Sequence, residues 1–194
     1  MAGLAARYCG QRLSRSLPEL SALKDVARST TVLEDREFSL MRMEATLKTR
    51  PYSIVHIASH AQFSSDPAKT FILAYDGPLT LQELEDAVKT RRWDTNPLEL
   101  LSLSACQTAI GDDRAALGLA GVAIKAGARS ALASLWHVND EAAFRVVTQF
   151  YKELQQPGVS KAQALQHAQL ALMQDRRFRH PGYWAPFLII GNWL

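Results

Sequence analysis

Residues 98–108 read LELLSLSACQT, a mostly apolar run that ends in small and polar residues. The run over 98–103 predicts a short buried strand, and the polar cluster around Cys106 follows it directly. Residues 52–62 repeat the arrangement as YSIVHIASHAQ, in which the apolar run 52–58 is followed by Ser59, His60, Ala61 and Gln62. Strands that are apolar on both faces are typical of a parallel sheet covered by helices on two sides.

The rest of the chain alternates between strand and helix patterns. Further strands are predicted at 30–33, 71–75, 130–135 and within 184–190, and helices at 20–26, 35–49, 80–88, 118–126, 140–154 and 160–174. This alternation predicts an α/β fold with a mainly parallel central sheet flanked by helices. We interpret residues 1–15 as an N-terminal tail that follows a longer upstream region, and residues 16–194 as one domain.

Composition narrows the function classes. The chain has 194 residues, of which 47% are hydrophobic and 21% charged, and its net charge of +3 is too small to predict a nucleic-acid partner. The densest basic group, Arg176, Arg177 and Arg179, is typical of a solvated face. Two cysteines, Cys9 and Cys106, are too few for a disulfide framework and favour a reducing compartment. Without a signal peptide or an apolar run of about 20 residues, the sequence predicts a soluble cytoplasmic protein with no membrane partner.

The two polar clusters carry the chemistry. Active sites of open parallel sheets gather at the carboxyl ends of the strands, so His60 and Cys106 are expected to face one cleft. A thiol becomes a strong nucleophile as the thiolate, and an imidazole accepts its proton and later protonates the leaving amine. The backbone N–H groups of Cys106 and Ala61 are candidates to bind the oxyanion. This chemistry requires no metal and no cofactor.

Other interpretations of these residues remain open at this point. A single buried cysteine is often only a small hydrophobic residue. Zinc binding by His56, His60, Cys106 and His137 is conceivable, although no close-spaced pattern such as C-x-x-C supports it. His56 is either a partner behind the site or a histidine hydrogen-bonded in the core.

Four segments in order resemble the CHAT family, which comprises caspase-like domains often joined to helical repeats. They are IVHIASHAQF (54–63), LLSLSACQTAIGD (100–112), GLAGVAIKAGARSALASLWHVND (118–140) and HPGYWAPFLIIGNW (180–193). The resemblance, which covers the chain from about residue 16, implies a three-layer αβα sandwich related to caspases and separases. It also implies a Cys-His dyad at Cys106 and His60, a peptide or protein substrate, and a helical-repeat regulatory region in the full-length protein.

Two positions need separate expectations. Asp140 ends the segment SLWHVND and resembles an acidic residue of separases, which implies a pocket for an Arg or Lys side chain. The alternative is that Asp140 caps a helix beginning at Glu141. Other acidic residues near the predicted cleft are Asp76, Asp112 and Asp113.

The family usually has glycine after the catalytic histidine where this chain has Ala61, and alanine there costs on the order of 1 kcal/mol if the backbone needs a positive φ.

The sequence therefore predicts a cysteine endopeptidase that cleaves after a basic residue. One alternative is a catalytically silent caspase-like module that binds partners in a signalling or defence assembly. Another is a thiol hydrolase that acts on esters or amides through the same dyad.

Overall fold

The computed structural model describes residues 2–7, 24, 29–49, 51–63, 69–89, 97–108, 121, 123–124, 127–136 and 138–194. Eight strands form one sheet: β1 Ala2–Arg7, β2 Ser29–Glu34, β3 Ile54–Phe63, β4 Phe71–Ala74, β5 Gly77–Thr80, β6 Leu100–Thr108, β7 Ser130–Ser134 and β8 Phe187–Gly191. Four helices are α1 Leu40–Thr49, α2 Leu81–Lys89, α3 Asp140–Leu154 and α4 Lys161–Gln174. Short 3₁₀ turns occupy Asp35–Glu37, Arg176–Phe178 and Pro181–Tyr183.

The strand order across the sheet is β2-β1-β3-β6-β7-β8. The first five of these strands are parallel to their neighbours, and β8 closes one side antiparallel to β7. The β4–β5 hairpin pairs antiparallel with the last residues of β3. The prediction of a mainly parallel sheet is confirmed, and the carboxyl ends of β3, β6 and β7 lie at the same edge.

Of the four helices whose bounds are given above, two cover each face of the sheet. On one face, α1 and α2 bury their apolar stripes against alternate residues of the central strands, among them Val55, Ile57, Leu101 and Leu103. On the other face, α3 and α4 pack against strand residues that include Ile54, Leu100 and Leu132. Because a strand points successive side chains to opposite faces, strands that are apolar at every position are what this three-layer arrangement requires.

Reciprocal capping boxes begin two of the helices. At α2 the backbone N–H of Thr80 donates to Glu83 Oε2 (2.8 Å), and the N–H of Glu83 donates to Thr80 Oγ1 (3.2 Å). At α4, Ser160 and Gln163 form the same reciprocal capping box. Each box satisfies two N–H groups that a helix start would otherwise leave without a partner.

The structure corrects several predicted boundaries. Ala2–Arg7, predicted as part of a tail, form β1 between β2 and β3. The predicted strands 52–58 and 98–103 extend to Phe63 and Thr108, and β5 was not predicted. Most of the predicted helices 20–26 and 118–126 lies outside the described residues, although Lys24 of the first and Gly121, Ala123 and Ile124 of the second are helical.

Candidate active site

The two sequence clusters lie on adjacent parallel strands. The register pairs Ala58 with Ser104 and, after an irregularity, Ala61 with Cys106. Two residues of β3, Ser59 and His60, therefore oppose one residue of β6 in a β-bulge. Bulges locally bend a strand and re-aim its side chains, and they occur often beside active sites. His60 is thus one residue away in register from the direct cross-strand neighbour of Cys106.

The bulge is anchored on its other side. The buried hydroxyl of Ser59 donates a hydrogen bond to the backbone carbonyl of Leu73 in β4 (2.5 Å), while His60 is half-buried. Ala61 pairs with Ile72 of β4 as well as with Cys106. Both polar clusters were predicted to be loops after strands, whereas they lie within the strands because the ladders to β4 and β6 continue through them.

Alanine at position 61 carries no backbone strain. Among the described residues other than glycine, only Asp35 has a positive φ. Ala61 is therefore in a conformation that L residues adopt readily, and it is buried in the hydrophobic core between the sheet and the helices α1 and α2. Alanine would be unfavourable at this position only if φ were positive, and the φ of Ala61 is not.

Asp140 is the first residue of α3 and does not cap it. The cap is Asn139, whose side-chain oxygen accepts hydrogen bonds from the backbone N–H groups of Glu141 (3.0 Å) and Ala142 (3.3 Å). The alternative that assigned the cap to Asp140 is therefore wrong. The helix follows β7, so half-buried Asp140 begins an element that leaves the sheet edge where β3 and β6 end.

Of the other acidic candidates, the structure describes only Asp76, which has a structural role. Asp76 lies between β4 and β5, where its Oδ1 accepts a hydrogen bond from the backbone N–H of Leu40 (3.3 Å) at the start of α1. Asp112 and Asp113 lie outside the described residues, as does His137.

His56 is part of a fully buried polar network that sequence reasoning identified only in part. Its Nδ1 lies 3.0 Å from the hydroxyl oxygens of Ser102 and Tyr151, and its Nε2 lies 3.3 Å from Ser104 Oγ. Burial lowers the pKa of His56 to about 4, so the imidazole is neutral near pH 7. Ser102 was predicted as an ordinary strand residue and Ser104 as part of the polar cluster after the strand, although serines at alternate positions beside an apolar run are a signal of a buried polar partner.

The remaining polar candidates are structural. The backbone N–H of Gly182 donates to His180 Nδ1 (3.1 Å) within a turn. Arg177 donates to both carboxylate oxygens of Asp175, and this contact lowers the pKa of Asp175 to about 2. Arg176, Arg177 and Arg179 are exposed, as predicted for a solvated face. Among the described residues, no three His, Cys, Asp or Glu side chains lie close enough to share a metal ion.

A family model for the CHAT domain matches residues 4–192. The chain belongs to the CHAT domain family. No curated protein matches the sequence. The match covers the two strand-end clusters, β1 from its third residue, and the closing strand β8, so the recognition made from four motifs is confirmed.

Solved structures of similar fold include an Arg-specific cysteine proteinase and an initiator caspase. The crystal structure of the Arg-specific cysteine proteinase gingipain R (RGPB) has a TM-score of 0.65 and 11% identity, and the match covers 99% of this chain and 46% of that chain. The complex of Porphyromonas gingivalis RgpB pro- and mature domains has a TM-score of 0.65 and 10% identity, and the match covers 100% of this chain and 47% of that chain. The Drosophila initiator caspase Dronc has a TM-score of 0.56 and 10% identity, and the match covers 98% of this chain and 79% of that chain.

The CHAT domain therefore has a caspase-like αβα fold, as predicted. It spans about half the length of the gingipain chains that it matches. No helix among the described residues has both the length and the apolar character needed to cross a bilayer.

Proposed function

We propose that this CHAT domain is a cysteine endopeptidase in which Cys106 is the nucleophile and His60 its proton acceptor. The observation that carries the proposal is the register between β3 and β6, which pairs Cys106 with Ala61 beside a bulge that contains His60. Cys106 and His60 lie on neighbouring strands, so the separation of their backbones is set by the sheet rather than by a loop, as nucleophilic catalysis by a thiol and an imidazole requires.

The reaction follows from the two groups. The Cys106 thiol transfers its proton to His60, and the sulfur attacks the carbonyl carbon of the scissile peptide bond. The tetrahedral intermediate collapses as His60 gives the proton to the leaving amine, which leaves a thioester on Cys106. Water then attacks the thioester with His60 as the base, and its collapse releases the carboxylic acid and restores the thiol.

The backbone N–H groups of Cys106 and Ala61 are the donors that we propose for the oxyanion. The two residues are direct register partners across the β3–β6 ladder. Donors fixed by a sheet need no reorganisation when negative charge develops on the carbonyl oxygen. Neither a metal nor a cofactor enters this mechanism.

For specificity we propose that Asp140 receives an Arg or Lys side chain. Because Asn139 supplies the helix cap, the carboxylate of Asp140 is not needed for that purpose. It is neither a hydrogen-bond acceptor nor an ion-pair partner of any described residue. The Arg specificity of gingipain R, a protein of the same fold, makes arginine the first residue to test.

The substrate is a peptide or protein, and we propose a helical-repeat region in the full-length protein as the regulator of this domain. A cytoplasmic location agrees with the small number of cysteines. The silent binding module and the ester or amide hydrolase are retained as outcomes of the test below.

The test compares wild type with Cys106→Ala, His60→Ala and the double variant on a positional library of fluorogenic peptides. Each single substitution should abolish turnover, and the double variant should be no worse, because the two residues act as one unit. Cys9→Ser is the matched control and should keep wild-type turnover.

Three results would contradict the proposal. Turnover that persists in Cys106→Ala excludes this nucleophile. Hydrolysis of simple esters or amides but of no peptide indicates the thiol hydrolase. Absence of turnover, together with absence of Cys106 labelling by an arginine-based thiol-reactive probe, indicates a binding module.

A further inference from the structure

Four buried polar side chains interrupt the apolar layer between the sheet and α3. They are His56 of β3, Ser102 and Ser104 of β6, and Tyr151 of α3, and their exposed fractions are between 0% and 5%. The imidazole contacts all three hydroxyl oxygens at 3.0–3.3 Å. The ring of Tyr151 also meets the imidazole edge-on, with 5.6 Å between ring centroids. The group therefore joins three elements through one residue.

The network lies directly beneath the candidate active site. His56 is in register with Ser102, and the next polar position of β6, Ser104, is in register with Ala58 at the last regular pair before the bulge. Cys106 comes two positions after Ser104, and His60 four positions after His56. β3 thus carries one network residue, and β6 two, shortly before the proposed catalytic residue of each strand.

Burial of these groups needs an explanation other than stability. Hydrophobic side chains of similar size fill such a space at least as favourably, because polar groups lose their hydration on burial. A satisfied polar network instead accepts only one alignment of its elements. A slip of β3 against β6 would leave hydroxyl and imidazole groups without partners, which is costly inside a core.

We propose that His56, with Ser102, Ser104 and Tyr151, is a positioning network that fixes the alignment of β3 against β6 and so holds His60 beside Cys106. The inference rests on the proposed cysteine peptidase function. His56 does not touch the substrate, because it is completely buried, so it acts through the strands that it joins. Tyr151 extends the network to α3, whose first residue is Asp140.

The test uses the reactivity of Cys106, which needs no substrate. The rate of alkylation of Cys106 by iodoacetamide is followed from pH 5 to pH 10 by mass spectrometry of the Cys106 peptide. In wild type the pairing with His60 should give reaction well below the ordinary thiol pKa of about 8.5. His60→Ala defines the profile of a thiol without that partner.

Tyr151→Phe and His56→Asn are the informative variants. Phenylalanine removes one hydroxyl and keeps the ring, whereas asparagine keeps a polar group near the position of Nδ1 and loses the contact with Ser104. Both should move the alkylation profile toward that of His60→Ala, with a decrease of roughly three- to tenfold in the rate at pH 7. His56→Gln should instead retain the contact with Ser104, and its profile should lie closer to wild type than that of His56→Leu.

Tyr52→Phe is the matched control. Tyr52 is equally buried, and its hydroxyl donates to Thr31 Oγ1 (2.9 Å), but it packs in the opposite core. If Tyr151→Phe and His56→Asn lose stability as Tyr52→Phe does and keep the wild-type alkylation profile, the network is structural only and the inference is wrong. If wild type and His60→Ala share one profile, the proposed dyad fails first, and the inference fails with it.

Discussion

At the scale of single residues, Asn139 and Asp140 at the start of α3 have different roles. Asn139 accepts the two N–H hydrogen bonds of the cap, so its neighbour Asp140 is left for another role. A carboxylate at the first position of a helix also interacts favourably with the partial positive charge of the helix N-terminus. This division of tasks makes the proposed specificity testable without loss of the helix.

Asp140→Asn should lower the turnover of Arg peptides and leave stability unchanged. Asparagine is similar in shape but uncharged, so the charge-assisted pair with a guanidinium is lost. We expect kcat/KM for Arg substrates to fall roughly 10- to 100-fold, equivalent to ~1.4–2.7 kcal/mol of the barrier. The measurement is kcat/KM on peptides that differ only in the residue before the scissile bond.

Asn139→Ala provides the opposite control. It removes the cap, so the free energy of unfolding should fall by about 1 kcal/mol while the preference for Arg is kept. Arg cleavage by Asp140→Asn at the wild-type rate would place the pocket elsewhere. A wild type that prefers an acidic or apolar residue before the cut would exclude basic specificity altogether.

At this scale the sequence indicates candidate residues but not their contacts. His60 and Cys106 stand out because polar residues follow apolar runs there, whereas the pocket role of Asp140 came from the resemblance to separases, and all three assignments stay predictions. The His56 network was only partly predicted, because its members are far apart in the chain and two of them are serines. Nothing in local composition shows that Tyr151, on a helix, reaches a strand some 95 positions earlier.

At the scale of elements, the strands that carry the candidate site are longer than their hydrophobic patterns. Ser59–Gln62 and Ser104–Thr108 are polar enough to predict loops, yet both are strand residues because they are paired in register with neighbouring strands. Propensity is a weak guide wherever tertiary pairing decides the local structure. The hairpin strand β5, with Gly77 and Pro78, was missed for the same reason, since these residues ordinarily indicate a turn.

The last strand contains a glycine that the fold requires. Gly191 has φ +94°, and a Cβ there would lie against the backbone carbonyl oxygen of Arg129 and 2.8 Å from Ile124 Cδ1. The same carbonyl accepts a hydrogen bond from the N–H of Asn192 (2.7 Å), so it cannot move away freely. The end of β8 therefore depends on the absence of a side chain.

Gly191→Ala should lower the free energy of unfolding by about 2–3 kcal/mol, because it combines a positive φ with a clash against backbone. Gly158→Ala is the control, since Gly158 has φ +80° but open space around its Cα. That variant should lose only about 1 kcal/mol. Urea denaturation measures both, and equal losses would show that the clash is relieved by a small shift.

At the scale of the whole molecule, the layer architecture follows from the sequence because strands that are apolar on both faces have few other solutions. The order of the strands does not follow, since it depends on long-range pairing. The short segment Ala2–Arg7, AGLAAR, is too small and too weakly patterned to predict an interior strand, and only its two parallel partners give it that place.

Acid should destabilise the fold through His56. The pKa of His56 is about 4 in the folded protein and 6.5 in the unfolded chain, so the unfolded state binds more protons between these values. Stability is therefore full above pH 6.5 and decreases as the pH falls toward 4. From pH 7 to pH 5 this group should remove about 2 kcal/mol from the free energy of unfolding.

The measurement is urea denaturation of wild type and His56→Asn at both pH values. The variant lacks the titrating imidazole, so its free energy of unfolding should fall by about 2 kcal/mol less than that of wild type between pH 7 and pH 5. The other histidines are the same in both proteins and do not contribute to this difference. Identical pH dependence in the two proteins would show that His56 is not protonated on unfolding in this range.

The interior position of β1 affects how the chain reaches its fold during synthesis. Ala2–Arg7 leave the ribosome before both neighbours of β1, and the second of these, β3, begins only at Ile54. Parallel strands are joined by long crossover connections, so β1 cannot form a hairpin with the next strand and stays unpaired until its partners are synthesised. Its unpaired backbone is open to contacts with other chains until β3 has emerged. Folding of this domain on the ribosome should therefore begin only after β3 has emerged, and a chaperone that holds the segment Ala2–Arg7 until then would increase the yield of folded protein.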